Sequence, residues 1–241
     1  MKAEKKVLAG GRWLIAGSGG DLGAALIKRF REAGAMVCAV SRSARRAGAD
    51  VAVEADFTVL GEASRAAKAG ERLLGRVDGV VWNAGGGTDR LVAVLEGEEL
   101  SRLWQLQVVA PNEFLRALLP GMMARRSGVW IGISSLAAAR PEKGQAGYGA
   151  VKAAFETWVK ALAREVGPKG IRANALAPGF VESRRVASLP KPIQERLLRE
   201  RILLGRWARP EEIAEAAVFL GSEAAGYMTG QVLRIDGGAG T

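Results

Sequence analysis

Tyr148 and Lys152, in the stretch GYGAVKAAF, stand four residues apart with small residues around them. On a helix that spacing stacks phenol and ammonium on one face, one turn apart. An ammonium so placed lowers the phenol's pKa and suits it to pass a proton near neutrality. The plainer reading is a surface helix that happens to carry both. The chain contains no histidine, which removes His-based triads, the usual zinc sites and the commonest general base. Acid–base chemistry near pH 7 then falls to Tyr, Lys, Asp, Glu or Cys with a shifted pKa, and no metal is expected.

A second chemical stretch is AGSGGDLG, residues 16–23. Glycines after a strand let the backbone turn tightly and approach a pyrophosphate, which the following helix N-terminus attracts. The candidate contacts are Gly17, Ser18, Gly20, Asp21, Leu22 and Gly23. A third is VSRSARR, where Ser41 can bond an oxygen, Arg42 can clamp a phosphate, and Ser43, Arg45 and Arg46 follow. Read plainly, Arg42 is a solvated loop residue.

Short apolar runs alternate with helical patterns and would position these residues. RWLIAG (12–17), AMVCAVS (35–41), VAVEAD (51–56), GVVWNAG (79–85), GVWIGISS (128–135), IRANALAPG (171–179) and QVLRIDGG (231–238) read as seven strands. Several are apolar almost throughout, as when helices cover both faces of a parallel sheet. Helical patterns lie near 21–33, 59–74, 98–124, 147–166 and 210–221. The alternation implies βαβ units in one doubly wound α/β domain over residues 1–241, with ligands at the carboxyl edge of the sheet. The segment at about 180–209, interrupted by Pro190 and Pro192, is read as a substrate lid.

With 241 residues, 49% hydrophobic and 25% charged, the composition is that of a soluble globular protein. No apolar run approaches the roughly 18–20 residues of a membrane span. The basic N-terminus MKAEKKVLAGGRW lacks a secretory cleavage pattern, so a cytoplasmic location is expected. The lone Cys38 is expected to pack as a small hydrophobe. The formal charge is +10, but basic residues are not interleaved with aromatics, so no nucleic-acid partner is expected. Arg184 to Arg209 holds Arg184, Arg185, Lys191, Arg196, Arg199, Arg201, Arg206 and Arg209 against Glu195 and Glu200, a local excess of +6. It is either a solvated helix face or a surface attracting an anionic substrate or acidic partner.

In this order the motifs resemble the short-chain dehydrogenase/reductase family, over nearly the whole chain. Against the family's Thr-Gly-x-x-x-Gly-Ile-Gly, Ala16 replaces Thr, Gly17 and Gly23 match, and Asp21 holds the middle glycine's place. Gly20 falls one residue early, giving Gly-x-x-Gly-x-x-Gly. Asp21 could cap the helix; pointed inward it would repel phosphates, so it is expected to face outward. No acid ends the second strand to accept ribose hydroxyls, so Ser41 and Arg42 favour NADP(H) over NAD(H). The resemblance implies a Rossmann sheet, Asp56 with Phe57 at the adenine, and Asn83-Ala84-Gly85 steadying the sheet beside the adenosine. Trp82 replaces a more usual Asn.

Ser135 precedes Tyr148 by thirteen residues, the family separation, which completes Ser–Tyr–Lys. The resemblance then implies Tyr148 as general acid to a ketone oxygen. It makes Lys152 the stabiliser of the tyrosinate and binder of the nicotinamide ribose, and Ser135 the holder of the carbonyl. Pro178 and Gly179 would shape the nicotinamide wall, Val181 would bond the carboxamide through its backbone, and Ser183 takes the family's Thr position. Gln107 stands where the family has an Asn that props a helix kink and a relay water. A working but slowed enzyme is expected.

The C-terminal stretch resembles 3-oxoacyl-(acyl-carrier-protein) reductases and implies a homotetramer, or a homodimer, with Ile213, Ala217 and Phe219–Leu220 at an interface or simply in the core. Arg125, Arg126 and Lys169 would flank the entrance and, with the basic lid, suit an acidic carrier protein or a CoA thioester. The expected function is NADPH-dependent ketone reduction, preferably of 3-oxoacyl thioesters in fatty-acid or polyketide-type synthesis. The alternatives are a secondary-alcohol or small-ketone oxidoreductase, and a low-turnover cofactor-binding scaffold suggested by Asp21 and Gln107 together.

Overall fold

The computed structural model describes residues 6–87 and 89–241; the side chains of Arg46 and Arg185 lie outside the described residues. Seven parallel strands, β1 (Arg12–Ala16), β2 (Met36–Ser41), β3 (Val51–Glu54), β4 (Gly79–Trp82), β5 (Gly128–Ile133), β6 (Ile171–Pro178) and β7 (Val232–Ile235), run in the order β3-β2-β1-β4-β5-β6-β7. The order reverses between β1 and β4, and the crevice at that reversal is where such sheets take ligands. Each strand of the sequence reading is present. Strands one, three, four and five stop one to three residues before their apolar patterns end, and those residues turn outward to form the site.

Alternation along the strands feeds two cores. Trp13 and Ile15 of β1 face α1 (Asp21–Glu32) and α8 (Pro210–Gly221), packing with Leu26, Phe30 and Ile213. Leu14 and Ala16 face the other side, with α2 (Glu62–Leu74), α4 (Ala110–Arg125) and α5 (Ala146–Val166). An aromatic group fills that second core. Trp82 lies 4.8 Å from Phe57, 5.4 Å from Phe114 and, stacked, 6.1 Å from Trp130. Such pairs are worth about 0.5–1.5 kcal/mol each beyond the area they bury, which explains a tryptophan where the family places an amide. Cys38 is buried among apolar neighbours, and burial pushes its thiol up to about 12.

Two elements differ from the sequence reading. The helix expected near 98–124 is α3 (Gly97–Trp104), a π-turn (Gln105–Val109) and α4. The extra residue in the π-turn re-aims the face that carries Gln107. In the 180–209 segment, the prolines open a helix rather than interrupt one. After α6 (Arg184–Ala187), Pro190 caps α7 (Lys191–Arg201) and Pro192 sits in its first turn, where a missing N–H costs nothing. Among the described residues no helix is long and apolar enough to cross a membrane.

Candidate active site

The first glycine turn divides its duties. Gly17 has φ +81°, and a side chain there would collide with the Ala84 backbone. A Cβ on Gly23 would lie 2.7 Å from the Gly17 carbonyl. Both glycines are therefore required by the turn's own packing. Gly20, the N-cap of α1, is different: a Cβ there would meet nothing within 4 Å, so its space opens outward in front of the helix N-terminus. That open cradle fits a dinucleotide's pyrophosphate. Leu22 packs its side chain on the core and offers only its backbone. Ser18 donates to the Ser41 hydroxyl at 2.9 Å, and Ser41 also accepts from the Ser43 N–H at 3.3 Å. These hydroxyls latch the turn to the end of β2.

Asp21 is exposed and does not cap the helix; that place belongs to Gly20. Its carboxylate accepts from the Arg184 N–H at 3.4 Å, at the start of the segment that follows β6. Arg42 is exposed at the mouth of the crevice, beside Asp56. The hydroxyl and N–H of Thr58, bonding the Asp56 carboxylate at 2.7 and 3.0 Å, hold it below the usual carboxylate range, and Arg42 and Arg102 add to that. Arg102 escaped the sequence reading because it lies on α3, far along the chain. Phe57 meets this region through its backbone alone. Its ring is in the aromatic core, and only its carbonyl, 3.4 Å from the Gln105 amide, faces this region. The Asn83 amide donates to the Gly17 carbonyl at 2.8 Å and its N–H donates to the Ala16 carbonyl at 2.9 Å, tying β4 to the turn.

The turn that follows Ser135 meets α5, the helix that carries Tyr148, at Gly149. Gly149 lets that helix close on the 3-10 turn that follows Ser135, since a Cβ there would sit 2.7 Å from the Ala137 carbonyl. Gly147 similarly admits Leu95. The small residues flanking Tyr148 thus exist for close approach. The Ser135 hydroxyl accepts from the Ala137 N–H at 3.2 Å, leaving its proton to donate. Gly87, unremarked in the sequence, lies against the Tyr148 ring. Lys152 is 4% exposed; its Nζ lies 5.8 Å from the centre of the Tyr148 ring and donates to the Ile133 carbonyl at 2.7 Å. Burial pulls the ammonium from 10.5 down to about 7, opposed by Glu156. The neighbouring Ser134 turns to the opposite side of the strand from Ile133 and donates to Glu156 at 2.7 Å.

The remaining candidates fall at the same edge. Pro178 ends β6, and Gly179 abuts Asp236 so closely that a Cβ would lie 2.8 Å from its Cα. Phe180 and Glu182 pair with Ala208, so the N–H and carbonyl of Val181 point the other way. Ser183 caps α6, accepting from the Val186 N–H at 3.3 Å. Gln107 is fully buried beside Gly85, and among the described residues neither its amide nitrogen nor its oxygen has a partner. In the 180–209 segment, Phe180, Leu198, Ile202 and Trp207 gather on Leu136 and Ala239, and Arg201 is ion-paired with Glu142 just before α5. Arg199, Arg206 and Arg209 pair with Glu200 and Glu212, which neutralises part of the basic stretch.

Arg125, Arg126 and Lys169 do not flank this entrance. They lie at the amino edge, where Arg125 donates to the Val77 carbonyl at 2.7 Å and Arg126 to the Pro168 carbonyl at 2.9 Å. Residues that precede parallel strands lie opposite the end where the strands point, which is the reason. Ile213, Ala217 and Leu220 are core, whereas Phe219 is 41% exposed.

The doubly wound sheet, the glycine cradle and the Ser135–Tyr148–Lys152 edge define a dinucleotide-dependent oxidoreductase scaffold. The chain belongs to the short-chain dehydrogenase/reductase family, and residues 16–240 match the family model described as enoyl-(acyl carrier protein) reductase. It is 40% identical over 162 residues to a 3-oxoacyl-[acyl-carrier-protein] reductase of Chlamydia trachomatis, a match that spans 67% of this chain and 65% of that protein. It is 34% identical to an acetoacetyl-CoA reductase of Synechocystis, over 93% of this chain and 94% of the relative. The crystal structure of L-sorbose reductase from Gluconobacter frateurii, complexed with NADPH and L-sorbose, superposes with a TM-score of 0.90 at 27% identity, over 99% of each chain.

Proposed function

We propose that the chain is an NADP(H)-dependent ketoreductase that turns a ketone into a secondary alcohol, with 3-oxoacyl thioesters of a carrier protein or CoA as preferred substrates. The observation that carries this reading is the buried Lys152 amine under the Tyr148 ring, at the edge where Ser135 leaves the sheet. The glycine cradle would hold the pyrophosphate, Arg42 the 2′-phosphate, Asp56 the adenine, and Lys152 the nicotinamide ribose. A bound reduced nicotinamide supplies hydride to the carbonyl carbon. Ser135 donates a hydrogen bond to the carbonyl oxygen and offsets the charge that develops there. Tyr148 passes its phenolic proton to that oxygen, and the Lys152 ammonium stabilises the phenolate left behind. Val181 meets the carboxamide through its free backbone edge.

The apolar lid group of Phe180, Leu198 and Trp207 suits an aliphatic acyl chain, and both thioester-reducing relatives support that class. The acidic-carrier reading rests on Arg184, Lys191 and Arg196 of the lid, which keep the segment's net charge positive. The full-length likeness to a sorbose reductase favours a second reading, a small-ketone or polyol oxidoreductase. By family likeness we propose a homotetramer, or a homodimer, as the assembly.

Following NADPH absorbance with a 3-oxoacyl thioester and simple ketones tests the proposal. Turnover of the thioester, lost by a factor of about 10²–10⁴ in Tyr148→Phe with NADPH binding retained, is the expected result. Tight NADPH binding with no ketone turned over would overturn it.

A further inference from the structure

The exit of β5 holds two side chains of α5 in one grip. Lys152 Nζ donates to the carbonyl of Ile133, and the hydroxyl of the next residue, Ser134, donates to Oε1 of Glu156, each at 2.7 Å. Lys152 and Glu156 are four residues apart, so they stack on the face of α5 that meets the strand. Ser134 is 4% exposed, which shelters its bond to the carboxylate from competing water.

We propose that Glu156, anchored by Ser134, is a positioning residue that keeps the buried Lys152 amine charged beneath Tyr148. The inference rests on the ketoreductase reading for its catalytic meaning. A buried ammonium with no opposing charge discharges rather than stay ionised. Glu156 supplies that charge from the side opposite Tyr148, one turn further along the helix, and burial alone would carry the amine lower than it lies.

The other charged groups on elements packed against α5 have different geometry. Glu99 of α3 is paired with Arg90 at 3.3 Å. Glu98 and Arg102 are on the same helix, and Arg102 acts on Asp56. Arg172 of β6 is engaged with the Leu220 and Ser222 carbonyls at 2.9 and 3.2 Å. The π-turn carries no charged side chain, only the neutral Gln105 and Gln107. Lys160, Arg164 and Glu165 of α5 itself, and Lys169 of the 3-10 turn that follows it, lie two or more turns beyond Lys152, and Tyr148 faces the amine from the other side.

The test compares the wild type with Glu156→Gln, which keeps a partner for Ser134 and removes the charge, and with Ser134→Ala, which frees the carboxylate. With less support for the ammonium, the alkaline limb of the kcat profile for ketone reduction moves to lower pH by about one unit in Glu156→Gln. Turnover above that limb falls up to about tenfold, and Ser134→Ala moves the same way by less. A Glu156→Gln profile that superposes on the wild type overturns the proposal, as does a uniform loss at every pH. The Kd for NADPH against pH, read by fluorescence without turnover, separates the two readings. If no ketone is reduced but the pH dependence of that Kd still shifts in Glu156→Gln, the ketoreductase reading fails and this inference stands.

Discussion

The cradle in front of α1 makes a sharp prediction, because Gly17 and Gly20 are both glycines of one turn but for different reasons. In Gly20→Ala the backbone, at φ −110° and ψ 177°, accepts an L side chain without strain. Loss of unfolded-state entropy stabilises the protein by about 0.4–1 kcal/mol. Alanine is a poorer N-cap than glycine, at a cost of about 0.5–1 kcal/mol. The two nearly cancel, so Tm stays within about 3 °C for a chain of this size. The added methyl meets no protein atom within 4 Å, so what it displaces is the pyrophosphate. Overpacking costs about 1–3 kcal/mol, or a roughly 5- to 150-fold weaker Kd for NADPH. Gly17→Ala behaves in the opposite way: its left-handed backbone and the Ala84 collision lower Tm or prevent folding. Thermal unfolding by circular dichroism and NADPH fluorescence titration read both quantities. Unchanged NADPH affinity in a folded Gly20→Ala protein would refute the cradle.

Arg42→Ala is expected to weaken NADPH binding by about 10- to 150-fold, the worth of charge-assisted bonds to phosphate, and leave NADH binding unchanged; an equal loss for both cofactors refutes the 2′-phosphate assignment. Gln107→Leu replaces a buried amide that has no protein partner, so it raises stability by about 1–3 kcal/mol, several degrees of Tm. A lower Tm would show that the amide is satisfied after all. Gln107→Asn is expected to raise kcat, and no change counts against a relay role. Arg201→Ala removes the lid's tie to Glu142, whose side chains are 30% and 39% exposed, at about 1 kcal/mol or less. KM is expected to rise more than kcat falls, and an unchanged KM removes the lid assignment.

The sheet was legible because its strands are buried on both faces, which leaves runs such as GVVW and MVCAV with no polar face to confuse the period. The glycine turn and the Ser–Tyr–Lys order were legible because each demands particular residue types at fixed separations. The π-turn was not. One extra residue between two apolar helical stretches leaves the composition intact and changes only which face the later residues present. The orientation of Phe57 was hidden for a similar reason, since whether a ring after a strand turns to the core or the crevice depends on partners, Trp82 and Phe114, that come from elsewhere. The tie of Arg201 to Glu142 spans 59 residues and leaves no local trace.

Ser134 and Glu156 did leave a trace. A pair of serines at the end of a buried strand cannot both face the substrate, because successive side chains leave a strand on opposite sides. One hydroxyl is free for the carbonyl that the proposed reaction requires, and the other must find a partner within the protein. An acid one turn beyond Lys152, on a helix whose neighbouring positions are Phe155 and Val159 of the core, is the partner that spacing offers. The rule carries beyond this chain. Wherever a buried lysine must stay charged to do its work, the helix that carries it has few places for a counter-charge, and the position one turn on is the first place to look.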